Sequence, residues 1–228
     1  MSNVSSEMLA LQRFYHWERT APDRIALTQP MGNGATQDFT WSQVGNQVRS
    51  MATHLKAQGW EPGSKVAILS KNCAWWLMSD LAIWMAGYVS VPLYPTLASE
   101  TVGQILQHSD SKACFVGKLD GWESMKPGIP AGFPCMSYPL SPPDAVAAYP
   151  GWDSICSSNE PLKGSLTRPA DDLATLIYTS GTTGMPKGVM HDFGSFAWAL
   201  DRGMKRITMG PDDRMLSYLP LAHVVERV

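Results

Sequence analysis

Tyr178-Thr179-Ser180-Gly181-Thr182-Thr183-Gly184-Met185-Pro186-Lys187-Gly188-Val189 is the stretch on which the reading of this 228-residue chain turns. Leu173, Ala174, Leu176 and Ile177 lead into it as a short buried strand, so the run is expected to emerge at a sheet edge, where open α/β folds hold their ligands. Gly181, Gly184 and Gly188 can take positive φ and let backbone N–H groups close on an anion. Thr179, Ser180, Thr182 and Thr183 add hydroxyl donors, Lys187 adds a mobile positive charge, and Pro186 restricts the loop before any ligand orders it. Such a loop is suited to polyphosphate, although an ordinary Gly/Thr surface turn would accommodate any one of these residues. A Walker A loop does not fit, because it ends in Gly-Lys-Ser/Thr whereas Lys187 stands between Pro186 and Gly188.

Working outward, strands and helices alternate. The spacing of Met8, Leu11, Phe14 and Tyr15 predicts a helix from Met8 to Trp17, and Ile25 to Thr28 with Gln37 to Trp41 predicts a hairpin across Met31-Gly32-Asn33-Gly34. Ser42 is the expected cap of a helix that buries Val44, Val48, Met51, Ala52 and Leu55 and stops at Gly59. Strands at Lys65 to Leu69, Tyr88 to Pro92 and Lys112 to Val116 alternate with helices at Cys73 to Ala86 and Ser99 to His108. This order argues for a parallel sheet with helices on its faces. Between about Gly117 and Pro169 eight prolines interrupt the pattern and predict irregular surface structure, a candidate boundary between two sheet layers. Trp122, Phe133, Tyr138 and Trp152 nevertheless favour a packed excursion there over disorder. Beyond the glycine-rich run, a helix at Phe193 to Met204 and a strand at Arg214 to Tyr218 are expected.

Composition narrows the function classes. A net charge of −2 and a pI near 6.2 leave no electrostatic footprint for nucleic acid. Cys73, Cys114, Cys135 and Cys156 are scattered without C-x-x-C spacing, which disfavours zinc and predicts reduced thiols and a cytoplasmic location. The N-terminus has no basic region followed by an apolar stretch, so no secretory signal is read there. Leu81 to Val91, the most apolar stretch, falls well short of the roughly 20 residues a membrane span requires.

The run Tyr178 to Val189 as a whole resembles the phosphate-loop signature of the adenylate-forming, AMP-binding enzymes. Tyr218-Leu219-Pro220-Leu221-Ala222-His223-Val224-Val225-Glu226-Arg227 is similar to the segment that follows that loop in the long-chain fatty acyl-CoA synthetases. Ser70-Lys71-Asn72-Cys73-Ala74-Trp75-Trp76 and Val91-Pro92-Leu93-Tyr94-Pro95-Thr96 resemble further segments of that branch. The resemblance implies an α/β fold of layered, mostly parallel sheets flanked by helices. It also implies a two-step reaction, in which a carboxylate attacks the α-phosphate of ATP to give an acyl-adenylate and a CoA thiol then displaces AMP.

By the same resemblance, Tyr178, Thr179, Ser180, Gly181, Thr182, Thr183, Gly184, Lys187 and Gly188 would surround the β- and γ-phosphates. Thr183 and Lys187 would be the charge-stabilising groups, Thr179 a candidate Mg²⁺ ligand, and His223 a residue of the acyl-binding site. A histidine hydrogen-bonded beneath the sheet is the alternative for His223, and Glu226 with Arg227 reads as a solvated charge pair. The family's adenine-binding stretch, ribose-binding aspartate, hinge and C-terminal domain have no counterpart in the sequence. Residues 1–228 are therefore read as a partial N-terminal AMP-binding domain that is catalytically incomplete alone, with the rest of the same protein as its partner. The expected substrates are ATP, CoA and a fatty acid or other carboxylate. Peripheral membrane contact would suit a greasy substrate, but no amphipathic anchor is evident. An aryl or short-chain carboxylate ligase, and a non-catalytic nucleotide-binding or interaction module, are the competing readings.

Overall fold

Apolar residues recur along the chain at alternating strand and helix spacings, and most of the resulting elements stack as a six-stranded sheet between two helical layers, with a separate two-stranded hairpin. A computed structural model of the chain describes residues 5–179, 186–206, 210 and 212–227, with Val225 described in its backbone only. Helix α1 (Ala10–Thr20) buries Leu11, Phe14 and Tyr15, which belong to the expected stripe. Strands β1 (Ile25–Gly32) and β2 (Ala35–Thr40) pair antiparallel, and Gly32, Asn33 and Gly34 all take positive φ at the turn. Helix α2 (Trp41–Ala57) starts two residues earlier than a cap at Ser42 would set it. Thr40 is the cap instead, its hydroxyl accepting from Gln43 N while Gln43 Oε1 accepts from Thr40 N at 2.8 Å.

Next come β3 (Lys65–Leu69), α3 (Ala74–Met85), β4 (Val89–Leu93), α4 (Ser99–His108) and β5 (Ser111–Val116), all within a residue or two of their expected bounds. The Pro-rich region is packed, as its aromatic residues implied, but it contains more order than expected. It holds α5 (Trp122–Met125), β6 (Cys135–Ser137), α6 (Pro143–Ala148) and α7 (Trp152–Ser158). It is not a boundary between sheets, because β6 pairs in parallel with β5. After it β7 (Leu173–Thr179) pairs in parallel with β4, β8 (Lys187–Asp192) runs antiparallel to β7, and α8 (Phe193–Met204) follows. The six-stranded sheet therefore has the order β6-β5-β3-β4-β7-β8. Arg214 to Tyr218, expected as a strand, has no ladder partner among the described residues, and Met215, Leu216 and Tyr218 are exposed.

Alternation along the central strands supplies the two cores. Val66 and Ile68 of β3 and Ala113 and Phe115 of β5 face one cluster with α1, α2, α3 and α8. Ala67, Leu69, Cys114 and Val116 face the opposite cluster with α4, α5 and α6. A strand buried on both faces is the mark of a parallel sheet covered by crossover helices. No helix among the described residues is long and apolar enough to cross a membrane.

The Pro-rich region is tied into the first core by Trp152, which packs on Phe115 and Tyr138 and donates from Nε1 to Gln47 Oε1 at 2.8 Å. Tyr138, fully buried, is held by a 2.7 Å hydrogen bond between its hydroxyl and Ser79 Oγ. Trp152→Ala should therefore destabilise the fold by about 3–5 kcal/mol, read as a lower urea midpoint by circular dichroism. A change below about 0.5 kcal/mol would mean that this region is not part of the core.

Candidate active site

The phosphate-loop reading rests on a hairpin whose first strand is locked into the sheet. Thr175 on β7 is fully buried and its hydroxyl donates to Ser90 O of β4 at 2.9 Å. Three residues further on, the Tyr178 ring turns into the second core, where its hydroxyl meets His108 Nδ1 of α4 at 2.7 Å. Burial raises the Tyr178 phenol above its ordinary pKa. Across the ladder Tyr178 pairs with Gly188 and Thr179 with Lys187, so the two ends of the run lie side by side. Both Thr179 and Lys187 are exposed.

Four of the expected phosphate-site residues can thus be placed: Thr179 and Lys187 on the exposed side of the hairpin, Gly188 in its second strand, and Tyr178, which differs from expectation because its ring is turned into the second core and not toward a ligand. Ser180, Gly181, Thr182, Thr183 and Gly184 lie outside the described residues. Gly188 differs from expectation, because it is not among the glycines with positive φ. Its small size serves packing, since a Cβ there would lie 3.1 Å from the Tyr178 ring. Strand β8 itself was not anticipated. Its residues are half-buried or exposed, so its pairing comes from the open edge of β7 and not from an apolar pattern of its own. As for Mg²⁺, no group of three or more His, Cys, Asp or Glu that could hold a metal exists among the described residues. Thr179 offers one exposed hydroxyl, and a hard cation takes further oxygens beside it.

The segment carrying His223 is fixed to the sheet at both ends. At its start Asn72, from the Ser70 to Trp76 run, donates from Nδ2 to Ser217 Oγ at 2.8 Å and to Leu219 O at 2.7 Å, and its Oδ1 accepts from Leu221 N at 3.0 Å. Leu221 and Ala222 are then buried, and His223 is exposed with its N–H donating to Pro220 O at 2.8 Å.

At the far end, in the short 3₁₀ turn Val224–Arg227, the expected solvated charge pair is replaced by a buried one. Arg227 Nη2 donates to Asp80 Oδ2 of α3 at 2.6 Å, with side-chain exposures of 2% and 6%. Nη1 donates to Thr175 Oγ1 at 3.0 Å, and Nη2 also reaches Ser90 Oγ at 3.3 Å. The guanidinium carbon lies 5.1–5.6 Å from the ring centres of Trp76, Trp84 and Phe196. Arginine is suited to this position because its planar fork serves two oxygens at once while its faces stack on aromatic rings.

Asp80 is the residue that sequence reasoning passed over. A signal was available. Helix α3 is apolar on nearly every side, with Trp75, Trp76, Met78, Ala82, Ile83 and Met85 all buried, so an aspartate in it is buried and requires a cation. Burial pushes the Asp80 carboxyl above the usual carboxylate range, and Arg227 pulls it back.

His191 of β8 feels the same cation. Burial first, then the Arg227 charge, lowers its pKa below 6.5, against a raising effect from Asp192. Burial also lowers His54 on α2. A histidine depressed in the folded state contributes stability above its unfolded pKa near 6.5, and that stability is lost as pH falls through the folded value. The melting temperature should therefore fall between pH 7 and pH 5, and His191→Gln should remove part of that slope. An unchanged slope in the variant would contradict the assignment.

The chain can be compared with proteins of known family. The AMP-binding enzyme family matches residues 14–228. The long-chain-fatty-acid–CoA ligase FadD15 of Mycobacterium bovis is 32% identical over 230 residues, covering 96% of this chain and 37% of that protein. Long chain acyl-CoA synthetase 1 of Arabidopsis thaliana is 31% identical over 205 residues, covering 83% of this chain and 31% of that one. Among solved structures, the acetoacetyl-CoA synthetase from Streptomyces lividans superposes with a TM-score of 0.81 at 22% identity, over 96% of this chain and 36% of its own. Apo MatB from Rhodopseudomonas palustris gives 0.75 at 21% identity, over 97% and 41%. The chain thus spans about a third of the length of the curated relatives it matches. With a parallel sheet of the same fold and a match to the family over nearly its whole length, the chain belongs to the AMP-binding enzymes.

Proposed function

We propose that this chain provides the phosphate hairpin and the acyl-site segment of an AMP-forming long-chain fatty acid–CoA ligase. The observation that carries the reading is the hydrogen bond from Arg227 to Thr175, which joins the end of the His223 segment to the strand that leads into the phosphate run. Two sequence runs separated by about thirty residues are thereby held in one place, as a reaction between a nucleotide phosphate and a carboxylate requires. Support for the long-chain substrate comes from the FadD15 and Arabidopsis relatives, each named for that class.

In this reaction a carboxylate oxygen bonds to the α-phosphorus of ATP and the bond to pyrophosphate breaks. The CoA sulfur then bonds to the acyl carbon and AMP leaves with the electron pair. No protein nucleophile takes part. Lys187 supplies a positive charge beside the departing pyrophosphate, and Thr179 supplies a hydroxyl at the opposite end of the same ladder pair. The exposed His223 stands at the carboxylate side.

Lys187→Ala in the natural gene product should lower the rate of ATP–pyrophosphate exchange about a hundredfold. Its melting temperature should not change, because Lys187 is exposed. Undiminished exchange would remove Lys187 from the site. The wild-type protein should exchange pyrophosphate with long-chain fatty acids in preference to aryl or short carboxylates. Absence of exchange with every carboxylate tested would overturn the ligase reading, and preference for an aryl acid would overturn the substrate class.

A further inference from the structure

We propose that Arg227 is a positioning residue, one that fixes the His223 segment against β7 so that the carboxylate side and the phosphate side of the site keep one relative placement. The proposal rests on the ligase reading above and adds a role for a charge pair that the reaction itself does not require.

Four elements converge on the guanidinium. Asp80, Trp76 and Trp84 come from α3, Ser90 from β4, Thr175 from β7 and Phe196 from α8. The chain of contacts continues into the sheet, because the Thr175 hydroxyl donates a hydrogen bond to Ser90 O, while Trp84 Nε1 donates to Ala174 O at 2.8 Å. Both flanks of the phosphate hairpin are included: β7 through Thr175 and Ala174, and α8 through Phe193 and Phe196, whose rings lie 5.2 and 6.4 Å from Trp84.

The pair is poorly suited to be a source of stability. Asp80 Oδ1 and Arg227 Nε are buried with no hydrogen-bond partner among the described residues. A buried ion pair left partly unsatisfied returns little net stabilisation over an apolar pair of the same volume. Directional contacts are what it does provide. A forked donor that reaches Asp80, Thr175 and Ser90 together allows one placement of the segment, whereas an apolar side chain in the same space would allow several.

The test compares Arg227→Lys, Asp80→Asn and Thr175→Val with wild type in the natural gene product. The first keeps the charge but not the fork, the second keeps the shape but not the charge, and the third removes only a hydroxyl. Hydrogen exchange of the peptide covering residues 219–227 should quicken at least about tenfold more than that of peptides from β3 and β4 in each variant. In the same proteins the kcat of ATP–pyrophosphate exchange should fall about tenfold to a hundredfold, with the KM for ATP within about twofold of wild type. Unchanged exchange in 219–227, or an equal loss of protection in β3 and β4, would overturn the proposal, the latter by showing a general structural role. If wild type exchanges pyrophosphate with no carboxylate, the ligase reading fails, and the hydrogen-exchange comparison still decides whether Arg227 places the segment.

Discussion

The contact between Arg227 and Asp80, 2.6 Å long and closed to solvent, is the constraint around which the candidate site is arranged. Removing two such charges from water costs several kcal/mol per ion, and proximity alone does not return it. Here the compensation comes from several sources: hydroxyls on two neighbouring strands and three aromatic faces presented by two helices. These contributions are available only when β4, β7, α3 and α8 are already assembled. The pair therefore acts as a check on the assembly, satisfied by one arrangement of the surrounding elements.

That arrangement explains the position of the site. A parallel sheet gives its strands rigid, doubly buried interiors and leaves chemistry to the segments at their ends. Strand β7 is held internally by Thr175, Ala174 and the Tyr178–His108 contact, so Thr179 and Lys187 emerge from a fixed base. The His223 segment has no strand pairing to hold it among the described residues, and side chains hold it instead: Asn72 at one end, Arg227 at the other. Both Asn72 and Trp76 belong to the run Ser70 to Trp76, so that stretch serves the site without forming its exposed surface.

How much of this was legible in the sequence depended on how local each determinant is. Strand β3, helix α4 and helix α8 have the bounds that their spacing predicts, because burial periodicity is a local property. Strand β6 was hidden in three residues among prolines, and its pairing with β5 is a tertiary fact. Strand β8 was hidden for a related reason: an exposed strand at a sheet edge has no apolar alternation to display, and its residues were read as part of the glycine-rich run. The expected strand at Arg214 to Tyr218 failed in the opposite way, with apolar residues present and no neighbouring edge to receive them. Arg227 was misread as solvated because its partner lies 147 positions earlier, and nothing local separates a charge bound for the interior from one bound for water. The hairpin and the His223 segment, by contrast, were both recognisable as motifs, and the structure adds how they are joined.

A double-mutant cycle on Asp80 and Arg227 tests this account most directly. Each residue is replaced singly by a neutral one, both are replaced together, and the unfolding free energies are compared. A buried pair as described predicts single variants that are strongly destabilised, a double variant that recovers part of the loss, and a coupling energy above about 1 kcal/mol. Additive effects within about 0.3 kcal/mol would mean that the two charges do not sense each other, and the joining of the two halves of the site through Arg227 would be contradicted.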